Sequence, residues 1–195
     1  MKKINLFLLG LLLLPQVCFA DTFGNVFAGT ETDNYQGYTN RIMCSPFQAP
    51  ANGTITQINA LLDASTGTQN AKAVVYAADG AGGIPGTILG VSNVTGVTTT
   101  KGDFAFTGLS VAITSGTVYW FNIVSGGDYI MTFYEALGGS YIWQSADTAG
   151  YYTSPPNNPT QASLYSDNVY CVYATYTPSG GGGGGVTIEP MVNVF

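Results

Sequence analysis

The chain has 195 residues, and only 8% of them are charged. It contains no histidine, so it lacks the commonest general base and the commonest zinc ligand of proteins. Its formal net charge of −6 argues against nucleic acid and anionic membrane surfaces as partners, because few cations are available to neutralise phosphates.

Residues 1–20 have the pattern of a secretory signal peptide. Two lysines precede an apolar run over residues 4–14, which is too short to span a bilayer as a helix. Cys18 and Ala20 form a small-x-small pattern that predicts cleavage after Ala20, and the alternative is lipidation of Cys18. We therefore expect a secreted or cell-surface protein that does not span the membrane when mature. It would keep three cations against eleven acidic residues, a net charge of −8.

Cys44 and Cys171 are the two cysteines that remain after this cleavage. Since two thiols in an oxidising compartment usually pair, the sequence predicts a disulfide between them. Such a bridge would close most of the domain into one loop, which the chain-entropy treatment values at about 4 to 5 kcal/mol. The alternative is that both thiols are reduced and pack as small apolar side chains.

Helix signals are nearly absent after residue 20, and short apolar stretches alternate with turn residues. Short strands at this spacing leave no room for intervening helices. They predict an all-β, antiparallel, jelly-roll-like β-sandwich over residues 21–178. The predicted strands cover residues 41–47, 54–62, 71–77, 88–94, 103–109, 118–124, 129–135, 141–144 and 168–176.

Alternation within the strands predicts which side chains face the core. In the strand over residues 118–124 one alternate set is uniformly apolar and the other is mixed. The expected core set is Tyr119, Phe121 and Ile123, and the expected outward or concave set is Val118, Trp120, Asn122 and Val124. Phe104 and Phe106 share one face of their strand. Both sets are apolar over residues 168–176, which predicts a central strand covered on both sides.

The composition changes after residue 178. Residues 180–185 are six consecutive glycines, which predict a flexible linker over residues 179–185. Residues 186–195 form a short β-like tail that is either disordered or added as a strand to a sheet edge. Pro190 limits such a strand to an edge or divides it into two half-strands. If the edge belongs to a neighbour, the tail mediates self-association.

Six short motifs occur in the order that is typical of one family. They are residues 23–25 (FGN), 45–47 (SPF), 53–58 (GTITQI), 71–77 (AKAVVYA) with the turns at 79–80 (DG) and 85–86 (PG), 116–120 (GTVYW) and 173–176 (YATY). With these motifs, residues 23–177 resemble an extracellular β-sandwich module that is widespread in surface and secreted proteins of bacteria and archaea. The resemblance implies a jelly-roll-like fold and a surface or adhesive setting. It implies no catalytic residues and no particular ligand.

Carboxylates offer the chemistry that remains without histidine. A glycosidase-type pair could come from Asp128, Glu135 and Asp147, but nothing in their spacing places two of them across a cleft, so we expect no enzyme. We expect no cofactor either, although loop carboxylates make a structural calcium possible. The aspartates in or beside predicted turns are Asp79, Asp103, Asp128, Asp147 and Asp167. Their ordinary interpretation is that of solvated turn residues.

Aromatic residues in the second half of the domain are the best indication of binding. The candidate ligand-binding residues are Trp120, Asn122, Trp143, Tyr151 and Tyr152. Aromatic faces beside amide side chains suit sugars, which stack and accept hydrogen bonds. However, β-sandwiches also bury aromatic residues in their cores.

Two functions follow from these observations. We favour a non-catalytic secreted or cell-surface module with a structural or adhesive role, and the alternative is a carbohydrate-binding module. The partners would be surface glycans or protein neighbours. Exposure of Trp120 and Trp143 on one concave face would favour sugar binding, whereas buried tryptophans would favour the structural role.

Overall fold

The computed structural model describes residues 20–26, 33–37, 42–127, 130–135, 141–145 and 150–179. The expected signal peptide, apart from Ala20, and residues 180–195 of the linker and tail lie outside these ranges. The described part contains fifteen strands and no helix. Within it, accordingly, no helix is long and apolar enough to cross a membrane.

The strands form two sheets. The first sheet contains β1 (Asp21–Gly24), β2 (Asp33–Gly37), β4 (Gly53–Ala64), β8 (Gly102–Phe106), β9 (Val111–Ile113), β11 (Ile130–Glu135), β14 (Val169–Tyr170) and β15 (Val172–Pro178). The second contains β3 (Met43–Gln48), β5 (Gln69–Ala77), β6 (Ile88–Val91), β7 (Thr95–Val97), β10 (Val118–Ser125), β12 (Tyr141–Ser145) and β13 (Gln161–Ser166).

In neither sheet do the strands follow their order along the chain. The first sheet runs β1-β15-β4-β11-β14, with β2 added to β11 and with β8 and β9 both added to β4. The second runs β13-β12-β3-β10-β5-β6, with β7 also paired to β5. All of these pairings are antiparallel. The predicted all-β class is confirmed, and the two sheets are consistent with a β-sandwich; the jelly-roll connectivity stays a prediction.

The core is one large cluster of buried side chains contributed by both sheets. Phe121 lies among its aromatic residues, with ring centroids 5.4 Å from Phe23 and 5.2 Å from Phe47. Tyr119 and Phe121 are buried and Ile123 packs against the cluster, so the predicted core face of β10 is confirmed. The predicted shared face of β8 is confirmed as well, because Phe104 and Phe106 both contact this core.

Five of the strands were not predicted from the sequence: β1, β2, β7, β9 and β13. They are short, and β2 (DNYQG) and β7 (TGV) contain hardly any apolar residues. Pairing with neighbouring strands, rather than a periodic pattern of their own, places them in the sheets.

The last predicted strand differs in two ways. Residues 168–176 are divided at Cys171, so that β14 pairs with β11 while β15 pairs with β1 and β4. The expectation that both faces are covered holds for residues 169–172, which are all buried, but not beyond them, because Tyr173 and Thr175 remain partly exposed on the face opposite the core. That face of β15 lies at the surface of the first sheet.

The predicted disulfide is not present. Cys44 and Cys171 are both buried, and no bridge joins them. Cys44 packs in a second cluster outside the main core, and Cys171 lies in the other sheet, with its Sγ 3.9 Å from Asn25 Nδ2. Neither cysteine belongs to the core that the two sheets share, so they have no common space in which to pair. Burial raises the pKa of Cys44, which agrees with a thiol packed as an apolar group.

Candidate functional site

The outer face of the second sheet carries the second cluster of buried side chains, which we call the outer-face cluster. Its members are Ile42, Cys44, Val74, Tyr76, Trp120, Val124 and Tyr151. It arises because side chains alternate along a strand. On β10, Tyr119 and Phe121 take the core, so Trp120 and Val124 lie on the other face.

Trp120 is the largest side chain of this cluster. It is only 1% exposed, and in the strand register it lies opposite Tyr76 on one side and Pro46 on the other. Its Nε1 donates a hydrogen bond of 3.0 Å to the carbonyl oxygen of Gly83, in the loop between β5 and β6. Trp120 therefore anchors that loop and offers no free ring face for stacking.

Residues 150–160, which we call the strap, cover this face of the sheet. Tyr151 is 6% exposed and belongs to the outer-face cluster, and Tyr152 packs against the cluster while half-buried. The strap thus converts an outward sheet face, which a sandwich ordinarily leaves to solvent or ligand, into a second core.

One end of the strap is held by Lys72 on β5. The Lys72 Nζ lies 4.5 Å from the centre of the Tyr152 ring and donates a hydrogen bond of 3.4 Å to the carbonyl oxygen of Tyr152. A cation over an aromatic face is attracted by the ring quadrupole. Gly126 makes room for the same ring, because a Cβ at that position would lie 2.6 Å from it.

The other end of the strap is held by two asparagines. Asn157 Oδ1 accepts a hydrogen bond of 2.7 Å from the backbone N–H of Ile88, at the start of the edge strand β6. The backbone N–H of Asn158, which has a φ of 50°, donates a hydrogen bond of 2.8 Å to the Gly86 carbonyl. Asparagine tolerates this left-handed conformation better than most residues, so the local sequence suits the anchor.

Polar groups are buried inside the outer-face cluster. Asn122 is 1% exposed; its Oδ1 accepts a hydrogen bond of 3.0 Å from the Met43 N–H, and its Nδ2 has no partner among the described residues. The Tyr76 hydroxyl is likewise without a partner in the described part. Burial, together with the neighbouring Cys44 and Tyr151, raises the pKa of Tyr76. Tyr76 and Cys44 are therefore neutral near pH 7, and neither is poised as a nucleophile or base.

Four of the five predicted ligand-binding residues lie together at this face. Trp120 and Asn122 lie on β10, and Tyr151 and Tyr152 lie in the strap. Trp120, Asn122 and Tyr151 are buried, so they do not form an exposed platform; the assignment of the five residues to a ligand stays a prediction. The side chain of Trp143 lies outside the described part; its backbone on β12 pairs with Cys44 of β3.

Sequence reasoning named Tyr151 and Tyr152 as candidate binding residues but missed the residues that anchor the strap. Lys72, Gly83 and Asn157 make the contacts that fix the strap and the β5–β6 loop. The sequence does draw attention to Lys72, because it is one of only three cations expected in the mature chain. No feature of the sequence indicates that the Gly83 carbonyl is an acceptor, since every residue has a backbone carbonyl.

Two of the turn aspartates, Asp79 and Asp103, accept hydrogen bonds from neighbouring residues. Asp79 accepts two hydrogen bonds from Thr87, of 2.6 Å from its N–H and 2.7 Å from its Oγ1, and these bonds lower the pKa of Asp79. Asp103 accepts a hydrogen bond of 2.6 Å from the Tyr173 hydroxyl. Glu135 is buried on β11, and Asp128 and Asp147 lie outside the described ranges. Among the described residues, no three metal-binding side chains of the types His, Cys, Asp or Glu come together.

The motifs that carry the family resemblance hold strands and loops in place. Gly24 has a φ of 121°, and a Cβ there would lie 2.7 Å from the backbone of β15; the next residue, Asn25, donates its N–H to the Val172 carbonyl at 2.9 Å. In the DG–PG loop, a Cβ on Gly86 would collide with Asp79. These positions are fixed by close backbone approach.

Neither comparison with known proteins finds a relative: no family model matches this chain, and no curated protein matches it.

Proposed function

We propose that this protein is an exported, non-catalytic β-sandwich module with a structural or adhesive role at the cell surface or outside the cell. The observation that supports this most is the strap, which closes the aromatic face of the second sheet. Trp120 and Tyr151, two of the aromatic residues considered for stacking a ligand, are buried and pack in the outer-face cluster. A closed face of this kind adds rigidity to a module without opening a binding cleft.

Composition and motif order support the same proposal. The export pattern of residues 1–20 supports a location outside the cytoplasm, and a chain rich in Thr, Ser, Asn and Gly suits solubility there. The buried Tyr76 and Cys44 are neutral, which leaves the outer-face cluster without an acid or base for chemistry. The resemblance to a module of surface and secreted proteins agrees with a role in assembly or adhesion.

Binding to treated cell envelopes tests the proposal. The exported protein, labelled with a fluorophore, is incubated with envelopes of the producing cells that have been oxidised with periodate or digested with protease. An adhesive or assembly module that contacts protein neighbours should bind after periodate and lose binding after protease. Loss after periodate alone would instead establish the carbohydrate-binding alternative.

A pair of variants makes this experiment specific. Trp143 on β12 and Leu164 on β13 are register partners, and Leu164 is 51% exposed. If the protein binds glycans through its remaining aromatics, Trp143→Ala should reduce polysaccharide binding while Leu164→Ala leaves it intact. Under the proposed function neither substitution affects retention on a polysaccharide matrix, because wild-type protein is not retained.

A further inference from the structure

A groove opens at the end of the domain where β5, β6, β9 and β10 meet. Its volume is about 540 Å³, and its walls are mostly apolar. The residues that form them include Ala77, Ala78, Leu89, Ala112, Val118 and Tyr119. We call it the end groove. One charged residue, Asp79, lines the end groove, and both of its carboxylate oxygens accept hydrogen bonds from Thr87. The groove therefore suits an apolar ligand rather than a charged one.

Exposed apolar side chains are concentrated on and just after β6, and one of them, Leu89, lines the end groove. In the described part, four large apolar side chains are exposed, and three of them lie within six residues: Leu89 at 39%, Val91 at 37% and Val94 at 52%. Leu89 and Val91 belong to β6, which is the edge strand of the second sheet. An edge strand next to an apolar groove is the kind of surface to which another extended segment adds.

The chain leaves the described domain at this same end. The Ser179 N–H donates a hydrogen bond of 2.9 Å to the Asn52 carbonyl, and Asn52 Oδ1 accepts one of 2.8 Å from the Ser115 N–H. Ser115 is two residues before Thr117, which lines the end groove. The segment that follows residue 179 therefore starts next to the groove.

The composition of that segment matches the groove. Residues 180–185 are six glycines, which span about 13 Å on average as a flexible chain and about 20 Å when extended. Residues 186–195 (VTIEPMVNVF) are mostly apolar, with valine and isoleucine at even spacing on both sides of Pro190. A linker this short keeps the tail at millimolar effective concentration near its own domain, which favours docking within one molecule over docking to a neighbour.

We propose that residues 186–195 dock in the end groove of their own molecule, alongside β6. The tail covers Leu89 and the apolar walls, and the glycine linker supplies the turn from β15. The interaction is independent of the adhesive role, because it needs no external partner.

Disulfide trapping in the full-length exported protein tests the position of the tail. Ala112 is an exposed residue of the groove wall, and Thr66 is exposed between β4 and β5 at the opposite end of the sandwich. The double variant Ala112→Cys with Val192→Cys should form an intramolecular bridge under mild oxidation, whereas Thr66→Cys with Val192→Cys should not. Cys44 and Cys171 do not interfere, since both are buried. Bridges between two chains, or equal trapping at both ends, would overturn the proposal.

Hydrogen exchange of the tail gives a second test that needs no new cysteine. In the wild-type protein, amides of residues 186–195 should exchange about tenfold or more slowly than in the Leu89→Asp variant, whose charge lies in the groove. The matched control is Leu164→Asp, which alters another exposed leucine on β13 and should leave the protection unchanged. Exchange of the wild-type tail at the rate of an unstructured peptide would overturn the proposal, as would loss of protection in the control.

Discussion

Gly24 shows how a single residue without a side chain fixes the junction between β1 and β15. Its φ is 121°, and an added Cβ would lie 2.7 Å from both the Tyr173 Cα and the Val172 carbonyl oxygen. We expect Gly24→Ala to lower the free energy of unfolding by about 2 to 4 kcal/mol, because backbone strain and a backbone clash act together. Urea unfolding followed by intrinsic fluorescence measures this loss.

The control for Gly24 is Gly67, which also has a positive φ, of 55°, but has no atom within 4 Å of an added Cβ. Gly67→Ala bears only the conformational strain and should lower the free energy of unfolding by about 1 kcal/mol. Equal losses at the two positions would show that the contact with β15 contributes nothing.

Tyr173 makes stability depend on pH in the alkaline range. Burial, followed by the hydrogen bond to Asp103 and the charge of Asp103, raises the pKa of Tyr173 from 10.0 to about 12. Because the folded state binds this proton more tightly than the unfolded state, the contribution to stability is complete below pH 10 and is lost as the pH rises through about 12. The melting temperature should therefore fall between these values, and fall less in Tyr173→Phe. Parallel curves for the two proteins would contradict this assignment.

At the scale of strands and loops, the sequence predicts what depends on local pattern. β4, β5 and β10 were recognised because apolar residues such as Ile55, Val75 and Phe121 recur at strand spacing. β13 (QASLYS) was missed, because its place depends on pairing with β12. The outer-face cluster could be predicted in part, since Trp120 was assigned away from the core. Its burial could not, because that depends on a strap contributed by residues far along the chain.

The strap should behave as a separable unit on top of the second sheet. Asn157→Ala removes the acceptor for the Ile88 N–H, a loss of about 1 kcal/mol, so amides of residues 150–158 should exchange about fivefold faster. Thr153→Ala, in the exposed part of the strap, is the matched control and should leave exchange unchanged. If the amides of β5 and β10 accelerate by the same factor, the strap and the sheet unfold together.

For the whole molecule, the two cysteines predict that a reductant does not change the stability of the fold. No bridge joins Cys44 and Cys171, so dithiothreitol should leave the urea midpoint unchanged. Both thiols should react with a thiol reagent in denaturant without prior reduction and should be slow in the native protein, since both are buried. A midpoint that falls on reduction, by the equivalent of several kcal/mol, would show that a disulfide forms during export.

The pairing of β1 with β15 joins the two ends of the described domain. The strand pairs of the second sheet are also far apart in the sequence, because β3 pairs with β10 and β12. Neither sheet can close until the later strand has left the ribosome, and folds of such high contact order form in milliseconds to seconds. The topology therefore delays folding until synthesis of the domain is nearly finished. A chain that has not yet folded is the form that a translocation channel accepts, so this order of strands is compatible with the export proposed from residues 1–20.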